Sequence, residues 1–180
     1  MRVYSLYVLN KAGGLIYQND INPGLIKLTA NDYLVLAGTL HSVHAIASKL
    51  TSTFNQPRQQ ESDTHANLSL LSSGRFQNSN ANKTGLQTIE TDLFNLYVFQ
   101  TLTGIKFIII TSSNSVVLST ESIDKSKFGE LKLQYDQVAD IFKKLYIIYS
   151  DYVMKDPFYS MDMPIKSQLF EAKIKELIGN

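Results

Sequence analysis

The chain has 180 residues, 44% of them hydrophobic, which is one domain's worth of sequence with enough apolar side chains for a sizeable core. A net charge of +1 gives no field that would draw nucleic acid or an anionic membrane, and zero cysteines exclude disulfides and thiolate metal sites while fitting a reducing compartment. No apolar run reaches the ~18 residues of a membrane span. The opening residues MRVYSLYVLN lack the basic, apolar and small-residue segments of a signal peptide, so a cytoplasmic chain is expected.

Residues 2–9 are apolar on both faces, with Val3, Tyr7 and Leu9 on one and Tyr4, Leu6 and Val8 on the other. Such a strand needs cover on both sides of its sheet. Lys11-Ala-Gly-Gly14 supplies a tight reversal into a partner strand, Leu15–Gln18. Thr29, with Asp32 three residues on, predicts a variant capping box. The helix behind it repeats Leu36, Leu40, Val43, Ala47 and Leu50 at spacings of four and three, which predicts an inward stripe. Gly38 inside it costs about 1 kcal/mol against alanine. A close approach to the sheet would explain that cost.

Residues 51–84 are dominated by Ser, Thr, Asn and Gln and read as a polar insertion, with transient docking of Leu68–Leu71 as the other reading. Three strands follow, at Leu86–Glu90, Leu93–Thr101 and Ile105–Thr111, joined by short turns into an antiparallel meander. Phe107–Ile110 is apolar throughout and reads as a central strand. Ser115–Thr120 could extend the sheet, within a second variable loop at 112–132.

Residues 134–155 predict a long helix carrying two adjacent stripes. One holds Val138, Ile141, Leu145, Ile148 and Tyr152; the other holds Phe142, Tyr146, Tyr149 and Val153. Their combined arc is wider than one sheet face needs, which points to burial against a partner. The segment Tyr149–Ile165 then carries four aromatics, three methionines and two prolines. Pro157 and Pro164 bar regular structure and predict an extended stretch between them. Two readings fit: a docking surface, or a hydrophobic connector folded back on its own domain. After Pro164 a last helix is expected over Ile165–Ile178, with Leu169, Ile174, Leu177 and Ile178 inward. The order β-β-α-β-β-β-α-α predicts an α+β domain: a five-stranded antiparallel sheet with one helix on one face and two on the other.

The sequence carries no recognisable active-site motif. His41 and His44 lie three apart on the first helix, but no third ligand completes a metal site, so a packed or surface pair is the expectation. Gly13-Gly14 fits neither a phosphate loop nor GxGxxG, because a strand follows it. No serine has an activated-nucleophile context. No cofactor is expected. Lys143-Lys144 is too small a basic face for a lipid or nucleic-acid site.

Four motifs in one order resemble the synbindin-type subunit of the TRAPP vesicle-tethering complex, a member of the longin or SNARE-like family. They are Asn10-Lys-Ala-Gly-Gly-Leu-Ile-Tyr-Gln18, Ala45-Ile-Ala-Ser-Lys-Leu50, Gln100-Thr-Leu-Thr-Gly-Ile-Lys-Phe107 and the run Tyr149–Ile165. Gln18 leads almost directly to Thr29 without an inserted domain, so the chain looks like the shorter fungal form. The resemblance implies a single longin-like domain over residues 1–180. It implies packing beside a second longin-like subunit and α/β-fold subunits. The assembled complex would bind an early-secretory Rab GTPase and promote GDP release in traffic between endoplasmic reticulum and Golgi, with only peripheral membrane contact. Exchange of that kind works by binding the nucleotide-free GTPase, so a chain without catalytic chemistry of its own is expected. The positions that match the family run are Asp151, Tyr152, Lys155, Pro157, Tyr159, Met161, Met163 and Ile165, expected to form or support a partner surface. Phe142, Tyr146 and Tyr149 offer a second candidate surface, and the first helix at His41 and His44 a third. The alternative is a stand-alone longin-type regulatory or coat-adaptor domain that binds a SNARE.

Overall fold

The computed structural model describes residues 2–50, 85–113 and 125–179. Its elements are β1 (Val3–Leu9), β2 (Leu15–Asp20), α1 (Ala30–Ala47), β3 (Thr88–Glu90), β4 (Phe94–Gln100), β5 (Lys106–Ser112), α2 (Lys125–Tyr149) and α3 (Gln168–Ile178), with a π-helical turn at Ser150–Met154 prolonging α2. The strands form one five-stranded sheet in the order β2-β1-β5-β4-β3, every neighbour antiparallel. The expected order of elements and division of helices between faces are what is found. The readings at Leu68–Leu71 and Ser115–Thr120 lie outside the described residues.

The alternation along each strand sorts its side chains to two cores. On one face Leu6, Val8, Tyr97, Phe107 and Ile109 pack under α2 and α3, against Val138, Phe142, Leu145, Tyr149, Phe170 and Ile174. On the other, Tyr7, Leu9, Leu96, Val98, Ile108 and Ile110 pack under α1, against Tyr33, Ala37 and Leu40. β5 lies at the centre, and its run Phe107–Ile110 feeds both cores alternately. That is why it lacks the polar alternation of a half-exposed strand.

α1 starts as the sequence predicts. Thr29 Oγ1 accepts from the Asp32 amide at 3.3 Å while the Asp32 carboxylate accepts from the Thr29 amide at 3.0 Å. The Thr29 hydroxyl, donating to Asp32 Oδ2 at 2.7 Å, and then the Thr29 amide hold the exposed Asp32 carboxyl below its usual range. Further along, Tyr33 ties the helix to the sheet edge: its hydroxyl donates to Asp20 Oδ2 at 2.6 Å, and Ser5 Oγ donates to Asp20 Oδ1 at 2.9 Å. The bond to Asp20, with burial added, pushes the Tyr33 phenol up to about 12.

Four expectations are corrected. An irregularity between Val3 and Ser5 in the pairing with β5 swaps the faces at the start of β1, so Val3 joins Leu6 and Val8 while Tyr4 packs with Tyr7 and Leu9. The inward stripe of α1 is Tyr33, Ala37, Leu40 and His44, whereas Val43 and Leu50 are exposed and Leu36 is half-buried. Gly38 makes no close approach to the sheet, since a Cβ there would meet nothing within 4 Å. On α3 the inward residues are Phe170, Ile174 and Ile178, while Leu169 is exposed. The surplus arc of α2 also has an internal cause, because α3 packs beside α2 and takes up much of it. Phe170 meets Tyr17 and Tyr149 edge-on, with ring centroids 4.9 and 6.5 Å away.

The corrected phase of α3 is checked by two alanine substitutions. Phe170→Ala should lower unfolding free energy by roughly 3–5 kcal/mol, and Leu169→Ala by no more than about 0.5 kcal/mol, in denaturant titrations of the full chain. Equal effects would mean that α3 is turned the other way.

Candidate functional site

The Tyr149–Ile165 segment is wound into turns rather than extended, which corrects the sequence reading. α2 passes into the π turn, where Val153 still points into the core. The Asp156 amide donates to the Val153 carbonyl at 3.2 Å, and Asp156 Oδ1 accepts from the Phe158 amide at 2.9 Å, an Asx turn around Pro157. A second turn follows: the Met163 amide donates to Ser160 O at 3.2 Å, and the Tyr159 hydroxyl donates to Met163 O at 2.9 Å. Asp162 sits at φ 67°, a left-handed conformation that Asp tolerates better than most residues. The Ile165 amide then donates to Ile16 O at 2.8 Å on the sheet edge and closes the loop.

Prolines bar a helix here, and side-chain-to-backbone bonds choose turns over extension. The result is a knuckle anchored in the core at Val153 and Ile165 that holds its most apolar residues out. Phe158 is 94% exposed, Met161 71% and Met163 58%. Of the residues singled out from sequence, Phe142, Tyr149 and Ile165 lie in the chain's own core and can only support a surface. Tyr152 and Tyr159 are half-buried against that core. Burial pushes the Tyr149 phenol up to about 12, with Tyr159, Asp162 and Tyr146 adding to it, and raises the Tyr159 phenol as well. Asp151, Lys155, Pro157, Met161, Met163 and Tyr146 are exposed. Asp151 and Lys155 pair with each other at 2.5 Å across one helical turn, a contact in solvent that contributes under about 1 kcal/mol. Phe158, the most exposed of these apolar residues, belongs to the run read as a docking surface but is not among the positions expected to meet a partner.

A second surface is the outer face of α1, which the sequence reading had turned partly inward. Residues 33–48 contain no Asp, Glu, Lys or Arg. Leu34, Val35, Val43, Ile46 and Leu50 are all exposed. Gly38 opens a flat spot among them, and Ser42 turns its hydroxyl back onto the Gly38 carbonyl at 2.8 Å. A surface helix normally carries charge outward. This one offers a neighbouring element apolar side chains and room for close approach.

The histidine pair divides between roles. His44 is buried, its Nδ1 3.2 Å from the Leu86 carbonyl and its Nε2 2.5 Å from Gln100 Oε1, so it ties α1 to the sheet's far half. Gly85, at φ +94°, lies under its ring, where a Cβ would fall 2.6 Å from the nearest ring atom. His41 packs over Gly13, and its buried Nδ1 has no partner among the described residues. Desolvation, and then Lys106 and His44, hold it below the usual histidine range. Among the described residues no group of three His, Cys, Asp or Glu could hold a metal, and no helix is long and apolar enough to cross a membrane.

The fold is that of a longin-like α+β domain, and its distinguishing surfaces are the apolar outer face of α1 and the exposed knuckle. Comparison with known proteins gives the family. The model of the Sybindin-like family matches residues 3–180. The chain is 36% identical over 179 residues to trafficking protein particle complex subunit 4 of Dictyostelium discoideum, covering 99% of this chain and 98% of that protein. It is 33% identical over 159 residues to the Bos taurus protein of the same name, covering 88% of this chain but about half, 51%, of the bovine length. Subunit 1 of the Dictyostelium discoideum complex is also similar, at 26% identity over 172 residues, with coverage of 93% and 88%. The chain belongs to the Sybindin-like family.

Burial separates structural from contact residues in a measurable way. His44→Ala strands the Leu86 carbonyl and the Gln100 amide and should cost about 2 kcal/mol of stability. Ile46→Asp and Phe158→Ser should each stay within about 0.5 kcal/mol of the parent chain in the same thermal or denaturant unfolding experiment. A large loss from either surface change would show that its side chain is packed.

Proposed function

We propose that this chain is a subunit of a trafficking protein particle complex and enters it through the outer face of α1 and the 154–163 knuckle. It brings no active-site chemistry of its own. The assembled complex binds an early-secretory Rab GTPase and promotes GDP release during transport from endoplasmic reticulum to Golgi. The chain works in the cytoplasm, at early Golgi and endoplasmic reticulum membranes only through the complex. The names of its relatives support membership, and the likeness to both subunit 4 and subunit 1 supports pairing with a second chain of the same fold.

The observation that carries the reading is the uncharged outer face of α1. An 18-residue helix is about 27 Å long. Its exposed Leu34, Val35, Val43 and Ile46, with Leu50 just past its end and Gly38 at the crossing, can seat a second helix or a sheet edge. A contact of standard size removes ~1,600 Å² from water in total. The knuckle extends the chain's contact area with Phe158 and Met161, whose aromatic and thioether side chains adapt to a partner's contours. Exchange needs only preferential binding of the nucleotide-free GTPase, so contact faces without a nucleophile, a metal or a cofactor suffice.

The test is reconstitution. The chain co-expressed with the subunit 1-type protein and the α/β-fold subunits should co-elute with them and accelerate release of fluorescent GDP from an early-secretory Rab. Ile46→Asp should abolish co-elution. Phe158→Ser should slow GDP release or weaken assembly at least about tenfold, the loss expected of one well-packed aromatic anchor. If both variants assemble and exchange like the parent, these faces are not the ones used.

A further inference from the structure

β2 lies at one end of the sheet, and its register fixes which backbone groups face out. The Ile21 amide donates to Tyr4 O at 2.8 Å, so position 21 turns toward β1. The antiparallel pairing Tyr7↔Gln18 and Ser5↔Asp20 then places the N–H and C=O of Gln18 and Asp20 on the outer edge, because hydrogen-bonded and open positions alternate. Ile16 obeys the same alternation, since its carbonyl accepts from the Ile165 amide at 2.8 Å. Beyond that bond the chain returning from Pro164 diverges and leaves a cleft of about 380 Å³, with Tyr17 and Gln18 on one wall and Pro164, Ile165 and Glu171 on the other.

Two features give this cleft a ligand chemistry. An outward row of backbone donors and acceptors takes an extended peptide in register, as an added strand. Glu171 sets a carboxylate on the wall; its one ion-pair partner among the described residues, Lys175 at 2.7 Å, is an exposed neighbour one helical turn away, so the pair exchanges readily. Its charge also reaches Tyr17, whose phenol is raised by burial first and by Glu171 in addition. A second copy of the chain fits less well. Pairing β2 with β2 would bring a second Glu171 and Asp20 to the same edge, and like charges across adjacent strands repel.

We propose that the outer edge of β2 is a binding site for an extended basic peptide of a partner protein, which adds as a sixth strand beside Gln18 and Asp20 and sets a lysine or arginine against Glu171. The site borders the base of the knuckle at Pro164 and Ile165 but uses neither the α1 face nor the exposed Phe158 and Met161, so its test is read independently of the proposed function.

The probe is an alternating valine–threonine heptapeptide with a central lysine, titrated into the full-length chain and followed by amide exchange and by affinity. Binding should slow exchange at the Gln18 and Asp20 amides. Replacing the lysine with glutamate, or Glu171→Gln in the protein, should weaken binding about threefold, the size of an exposed charge pair. Gln18→Pro removes an outward N–H without touching the ladder to β1 and should remove the protection at Asp20; if that variant misfolds, Glu171→Gln still decides. Lysine and glutamate peptides of equal affinity, binding with no response at these amides, or β2-mediated self-association without peptide would each overturn the proposal.

Discussion

Everything in this domain depends on a sheet that is apolar on both faces. β1 and β5 at its centre direct Leu6, Val8, Phe107 and Ile109 one way and Tyr7, Leu9, Ile108 and Ile110 the other. Such a sheet cannot leave either side to water, because each buried aliphatic or aromatic side chain is worth roughly 1.5–3 kcal/mol over its exposed state. Among the described residues, two helices cover one face and one covers the other. The asymmetry sets the character of each helix. α2 and α3 share their apolar arcs with each other as well as with the sheet, whereas α1 has no second described helix beside it.

That position explains the surface that matters most. α1 buries Tyr33, Ala37, Leu40 and His44, yet its outward face also lacks charge and carries a glycine that no local packing requires. A glycine in an exposed helix costs about 1 kcal/mol, and exposed Val, Ile and Leu gain nothing in an isolated domain. Both choices make sense if a further layer covers α1 in the assembled state. The knuckle follows the same logic on a smaller scale. Backbone and Asx hydrogen bonds fix its turns, so Phe158 and Met161 are presented on a rigid frame and lose less conformational freedom on binding.

The strands were legible because short apolar runs bounded by tight turns leave few alternatives, and the Thr29–Asp32 capping box was legible because its chemistry is local. The phase of α1 was not. With no charged residue between Asp32 and Lys49, apolar side chains lie all round the helix, and Leu36-Leu40-Val43 is as plausible a stripe as the true Tyr33-Ala37-Leu40-His44. On α3, Leu169 and Phe170 are adjacent, and only the aromatic contacts with Tyr17 and Tyr149 decide which turns inward. Pro157 and Pro164 told where regular structure stops; the turns between them come from Asp156 and Tyr159 side-chain bonds, which spacing does not reveal. The surplus on α2 looked like a docking face because the packing of α3 beside it is a long-range fact.

The central claim is that the outer face of α1 is covered by another subunit. The chain has no cysteine, so Ile46→Cys introduces a single thiol on that face, in the last turn of α1. Its rate of maleimide labelling, measured on the isolated chain and on the assembled complex, reads the burial directly. The account predicts ready labelling of the isolated chain and blocked labelling after assembly. An unchanged rate in an intact complex would contradict it and leave α1 as the solvent face of the domain.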